Sequence, residues 1–193
     1  WEPEVKIFPD PPRGEGDPIP YILTQEQANQ VAKLLLPPTI AYAPWKRVYS
    51  LARDGDSFDT FLRLAQSEPH TLLVVRTTKN QIFGGYADSA WIASHQGNPE
   101  FYGSAQASLY RIVQHNNIAN GNSTTKNGED IPFSLRVYKW SGVNRYIQYV
   151  DVARNMMALG GGGGEFGLCL ESDFQRGSTG RCATFNNEPL CDE

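Results

Sequence analysis

Three cysteines, Cys169, Cys182 and Cys191, and three histidines, His70, His95 and His115, are the residues of this 193-residue chain whose chemistry could support nucleophilic or metal catalysis. A cysteine nucleophile needs a thiolate held beside a base, and a zinc site needs paired ligands at short, regular spacing. Neither pattern is present. The histidines are isolated, no two possible ligands stand at i, i+3 or i, i+4 on a helix, and no catalytic motif surrounds a cysteine. Cys169 falls in the strand-like run Glu165 to Leu170, where a free cysteine acts as a small buried hydrophobe. The same structural reading is favoured for the more loop-like Cys182 and Cys191, but exposure there would make them oxidisable, and they are the two redox candidates. An odd number of cysteines, all in the last quarter of the chain, fits no secreted disulfide framework and points to a reducing cytoplasmic compartment.

The other polar clusters yield no reaction. The run Gly160 to Gly164 invites a phosphate-loop reading, with Arg176 and Arg181 as further anion contacts. Yet no Gly-Lys-Ser/Thr follows it, and Glu165 at the strand entrance would repel a phosphate, so a closely packed or flexible hairpin start is expected instead. Glu129-Asp130 and Asp192-Glu193 are neighbouring acids in polar sequence, whereas acid and base catalysis needs environments that split the two pKa values. Asp54-Gly55-Asp56-Ser57 opens like a calcium loop but lacks the closing acid, which leaves a turn and a helix cap. The sequon Asn122-Ser123-Thr124 matters only in the secretory pathway. No metal or cofactor is implied.

The net charge of −4, with 20% charged residues, and a pI near 5.4 lack the basic excess that nucleic acid or an anionic bilayer selects. No window holds the ~18 uninterrupted apolar residues of a membrane span, and the start at Trp1 has neither a signal h-region nor an initiator Met. The expectation is a soluble fragment of a longer protein.

Residues 1–20 carry six prolines among glycines and acids and are expected to be a linker, closed to helix and central strand. Thr24 and Gln27 form a capping box ahead of Ala28, Val31, Ala32 and Leu35 at helical spacing, a helix that Pro37-Pro38 end. A second helix starts near Asp56 or Ser57 and shows Phe58, Phe61, Leu62 and Ala65 on one face before Pro69. From His70 the period changes to short β-rich runs at 71–77, 81–86, 105–113, 135–140, 146–151 and 165–170. Lys79-Asn80 and Ser141 to Asn144 supply turns, and no crossover helix separates the runs, so antiparallel pairing follows. Asn116 to Asp130 reads as a mobile insertion between strands. The fold class is mainly β with flanking helices, a two-layer antiparallel β-sandwich. Trp91, Trp140 and the tyrosines cluster around these runs, where their rings pack under loops or anchor a protein partner.

One ordered set of short motifs adds to this reading: Leu36-Pro37-Pro38, Trp45 with Tyr49-Ser50, Asp54-Gly55, Phe83-Gly84-Gly85-Tyr86, Trp91, Gly177-x-Thr179, and Cys182-x-Thr184-Phe185. The set resembles the TLDc domain, from about Thr24 to the C-terminus, with residues 21–193 as the domain. Gly160 to Gly164, Asp173 to Gly177 and Cys182 to Cys191 are similar to the subgroup in which a TLDc domain follows a TBC domain, the Skywalker type. The resemblance implies a sandwich of two antiparallel sheets with no established active site. It also implies roles in oxidative-stress resistance, association with subunits of the vacuolar proton pump, and Rab-dependent synaptic vesicle trafficking. A Rab GTPase would be engaged by the TBC domain, outside this sequence, so this domain itself is expected to be a non-catalytic interaction module. It would be cytoplasmic and at most peripheral on presynaptic or vesicle membranes. The family pattern continues past Asn186 to Glu193 into a further strand, which leaves a last strand apparently missing. The alternative function is a small thiol-based redox enzyme using Cys182 or Cys191.

Overall fold

The computed structural model describes residues 2–94, 97–115 and 132–192. In chain order it has β1 (Ile7–Phe8), α1 (Gln25–Leu34), β2 (Trp45–Lys46), α2 (Leu51–Asp54), α3 (Phe58–Ala65), β3 (Thr71–Arg76), β4 (Ile82–Ala87), β5 (Ser108–Gln114) and β6 (Phe133–Lys139). It continues with β7 (Gln148–Asp151), a single 3₁₀ turn (Val152–Arg154), β8 (Met156–Leu159), β9 (Leu168–Glu171) and β10 (Arg176–Thr179). The capping box at Thr24 forms as expected: the Gln27 amide donates to Thr24 Oγ1 (3.2 Å) and the Thr24 amide to Gln27 Oε1 (3.0 Å). At α3 the Ser57 hydroxyl caps the Thr60 amide.

Two four-stranded antiparallel sheets form the sandwich, one in the order β3-β4-β5-β6 and the other β10-β9-β8-β7. Phe83, Ala87 and Leu109 of the first sheet share a core with Met157, Leu159 and Leu168 of the second, and Phe58 and Phe61 of α3 complete it. The opposite face of the first sheet carries Ile82, Tyr86, Tyr110 and Ile112 and is covered by Val31, Ala32 and Leu35 at and beyond the end of α1. Strand β4 is therefore buried on both faces, and its sequence IFGGYA shows no polar alternation. The antiparallel, mainly β fold class matches the sequence expectation.

Several elements depart from it. Ser141 to Asn144 do not close a hairpin; they carry the chain from β6 in one sheet to β7 in the other. Strands β8 and β10 were not expected. Met156–Leu159 is buried at every position and has no β-branched residue, and Arg176–Thr179 is an exposed edge with a glycine. Asn116 to Asp130, His95 and Glu193 lie outside the described residues.

The proline-rich segment is not a free linker. Prolines exclude helix there, but β1 pairs in parallel with β2, Val5 is 5% exposed, and Asp10 bridges Arg47 and Arg53. Two-residue strands carry too little pattern to be read from sequence.

Candidate functional site

The motif residues are fixed by the strands and by the chain after β10, and most of them face inward. Phe83 and Trp91 are buried, and the Trp91 indole N–H donates to Thr71 Oγ1 (3.0 Å). Tyr49 sits edge-on to Phe61 and tilted on Phe174, each at 5.5 Å, and its hydroxyl donates to the Gly55 carbonyl. Burial pushes its pKa up to about 12, with the Asp54 charge adding to the effect. Trp45 pairs with Ile7 and packs partly buried against the α1 side of the core.

Gly84 and Gly85 mark a close approach of chains. A Cβ on Gly84 would lie 1.8 Å from the Leu73 carbonyl oxygen, and one on Gly85 would lie 2.5 Å from Leu159 Cδ1. The register of β4 with β3 runs unbroken from Thr71↔Ala87 to Arg76↔Ile82, so close approach, and no bulge, explains the pair. Gly177 lies opposite Leu170 in the β10–β9 ladder, where a Cβ would press on Leu170 Cδ2 at 3.1 Å.

Cys182 and Phe185 meet the glycine run. A Cβ on Gly160 would stand 2.6 Å from Cys182 Sγ and 2.9 Å from the Phe185 ring. The Gly160 amide donates to the Ile147 carbonyl (2.9 Å) and the Gly161 amide to Thr184 Oγ1 (2.9 Å), so neither faces an anion. Thr184, which the motif names without a role, is the hub: fully buried, it donates to Asn144 Oδ1 (2.7 Å) while accepting from Gly161. Its neighbour Asn187 is also buried and ties the stretch 180–182 to its own turn. Oδ1 accepts from the Cys182 thiol (2.9 Å) and Nδ2 donates to the carbonyls of Gly180 (2.9 Å) and Glu188 (2.8 Å). A polar side chain satisfied in the core looks in sequence like any polar loop residue, so neither role is legible there.

These contacts give Cys182 the structural role and deny it the exposure that the redox alternative needs. The thiol is 4% exposed and hydrogen-bonded, and burial raises its pKa, the opposite of what a reactive thiolate requires. Cys169, as expected, is a buried strand residue, with its thiol pushed up to about 11 by burial and the nearby Glu171 charge. Cys191 is the partly exposed member of the three. Arg176 and Arg181 are exposed at the surface.

Two other groupings stand out. His70 Nδ1 lies 2.8 Å from Asp88 Oδ1 and 3.0 Å from the Tyr86 hydroxyl, which itself donates to Asp88. Burial and this carboxylate raise the Tyr86 pKa far above its ordinary value, so the phenol is a permanent donor that fixes the His70 corner. Beside Trp91, a shallow depression of about 320 Å³ is walled by Leu62, Ile92 and Val152 with Asp59 and Arg63 at its rim. Among the described residues no group of three or more His, Cys, Asp or Glu side chains could hold a metal ion, and no helix is long and apolar enough to cross a membrane.

Fold and motif together define an antiparallel β-sandwich module whose hallmark residues act in packing. The TLDc domain profile matches residues 19–193, and the chain belongs to the TLDc domain family. It is 33% identical over 170 residues to Nuclear receptor coactivator 7 of Homo sapiens, an alignment covering 88% of this chain and 15% of that protein. It is 30% identical over 179 residues to Oxidation resistance protein 1 of Yarrowia lipolytica, covering 89% of this chain and 68% of that protein. Against Oxidation resistance protein 1 of Xenopus laevis the identity is 33% over 170 residues, covering 88% and 17% respectively. The chain thus spans a small part of the length of its vertebrate relatives.

Proposed function

We propose that this TLDc domain is a non-catalytic protein-interaction module that contributes to resistance against oxidative stress. The observation that carries the reading is the fate of Cys182. The motif cysteine sits in a packed hub with Gly160, Phe185 and Asn187, where its thiol serves the fold. Similarity to proteins named Oxidation resistance protein 1 supplies the process. A scaffold of this kind protects by recruiting other proteins, since a thiol with a raised pKa and a buried sulfur meets peroxide slowly.

On the finer level, the parent protein is of the TBC-linked type and acts in Rab-dependent synaptic vesicle trafficking. There a separate TBC domain engages the Rab GTPase and this domain contacts vacuolar proton pump subunits, at or near vesicle membranes. The motifs from Gly160 to Cys191 support that subgroup. Two assays on one preparation test the proposal. Purified domain immobilised on resin is expected to retain isolated proton pump subunits, and the same protein at micromolar concentration is expected to leave peroxide untouched. Peroxide turnover that disappears in Cys182→Ser or Cys191→Ser would establish the thiol enzyme instead. Failure to retain any pump subunit would remove that partner.

A further inference from the structure

Residues 5–10 lie upstream of the family match, yet three separate devices hold them, all built from residues within it. The first grips the main chain. The Val5 amide donates to Asn29 Oδ1 (2.8 Å), Gln25 Nε2 donates to the Val5 carbonyl (2.8 Å), and Gln25 Nε2 also donates to Asn29 Oδ1 (3.0 Å). Two carboxamides on adjacent turns of α1 thus bracket one residue of an extended chain without reading its side chain. The Val5 side chain enters the same apolar cluster as Ala28, Val31 and Ala32.

The second device is strand addition. Trp45 donates its amide to the Lys6 carbonyl (2.7 Å), and Ile7 and Phe8 pair in parallel with Trp45 and Lys46. Pairing stops there, since Pro9, Pro11 and Pro12 have no amide to offer. Phe8 is 54% exposed, so the groove does not read it. The third device reads a charge: the Asp10 carboxylate is held by Arg53 Nη1 (2.8 Å) and by the Arg47 guanidinium from its other side.

We infer that the surface formed by Gln25, Asn29, Trp45, Arg47 and Arg53 is a peptide-docking groove. It takes an extended segment with apolar residues at two alternate positions and a carboxylate three residues after the second. The chain's own Val5, Ile7 and Asp10 are its resident occupant. A partner segment of the same pattern would compete with the strap for these same groups, and proline keeps that strap extended, so reseating costs little order.

Hydrogen exchange on the full chain tests this. In Asp10→Arg, which sets a third cation against Arg47 and Arg53, the amides of Val5 and Trp45 are expected to exchange at least tenfold faster than in wild type. Those of β4 and β5 are expected to be unchanged. A synthetic peptide of residues 2–14 with Asp10 intact, added to this variant, is expected to restore protection at Trp45, and the same peptide carrying Asp10→Arg is not. Wild-type exchange at Trp45 in the variant would overturn the inference. So would loss of protection throughout β4 and β5, which would make the strap an inseparable part of the core, or failure of the intact peptide to restore protection.

Discussion

Adjacent glycines in β4 make unequal demands, and alanine at each should separate them. At Gly84 the added methyl meets the Leu73 carbonyl oxygen at 1.8 Å, with the Leu73 carbonyl carbon at 2.8 Å and the Tyr110 hydroxyl at 2.9 Å. The first two are backbone atoms of the neighbouring strand, so β3 and β4 must move apart. At Gly85 the first atom met is Leu159 Cδ1 at 2.5 Å, the end of a side chain that can rotate, and the nearest backbone atom is the Ser108 carbonyl oxygen at 3.1 Å. Overpacking costs about 1–3 kcal/mol. Alanine recovers only about 0.4–1 kcal/mol by restricting the unfolded chain. Forcing two backbones apart puts the gross cost at Gly84 above that usual range, so Gly84→Ala should lose about 3 kcal/mol net and Gly85→Ala about 1 kcal/mol. For a domain of this size that corresponds to Tm falls of about 6–12 °C and 2–4 °C. Gly85→Arg adds a guanidinium between the sheets beside Leu159 and Leu109, a cost of several kcal/mol against a total stability of about 5–15, so the folded form should be lost. Thermal melts followed by far-UV circular dichroism read all three. Gly84→Ala within 2 °C of wild type, by the same scale, or melting above Gly85→Ala, would refute the argument from close approach.

Thr184→Val keeps the shape of the hub but orphans the Gly161 amide, and should cost about 1–3 kcal/mol in urea unfolding. Iodoacetamide on the native domain should alkylate Cys191 first, with Cys169 and Cys182 reacting only as the protein unfolds; equal early labelling of Cys182, read by mass spectrometry, would contradict its burial. The Arg47 hydrogen bond holds the Asp10 carboxyl below its ordinary value of 3.8. Its contribution is therefore fully present above pH 3.8 and lost as pH falls through the lower folded value. Wild type and Asp10→Asn should differ in Tm at neutral pH and converge in strong acid.

What the sequence disclosed follows from where the physics is local. The Thr24–Gln27 capping box, the α3 face of Phe58 and Phe61, and the strands from Thr71 to Lys139 depend on residues near one another in the chain. Consecutive glycines such as those of β4 fit either a bulge or a close approach, and register decides between them and names the neighbour. Missed features depend on distant partners. β8 is a strand because β7 and β9 flank it, and β1 is a strand because Trp45 lies beside it. Thr184 and Asn187 are buried because Gly161, Asn144 and Gly180 return to meet them. Cys182 was placed by the polarity of its neighbours, which here signals satisfied burial instead of exposure.

That inversion bears on how the family motifs are to be read. Cys182, Phe185, Gly160 and Thr184 meet one another in the core, so packing accounts for their place in the motif and they point to no partner. On the interaction role proposed above, recognition falls to groups outside that packed hub. Two such surfaces are the apolar walls of Ile92 and Val152 beside Trp91, and the amide and arginine groups along α1, β2 and α2 that hold an extended chain. The second set has the stronger physical basis. Carboxamides aimed at a main chain and two guanidiniums on one carboxylate recognise geometry and charge together, whereas an exposed apolar rim offers only area.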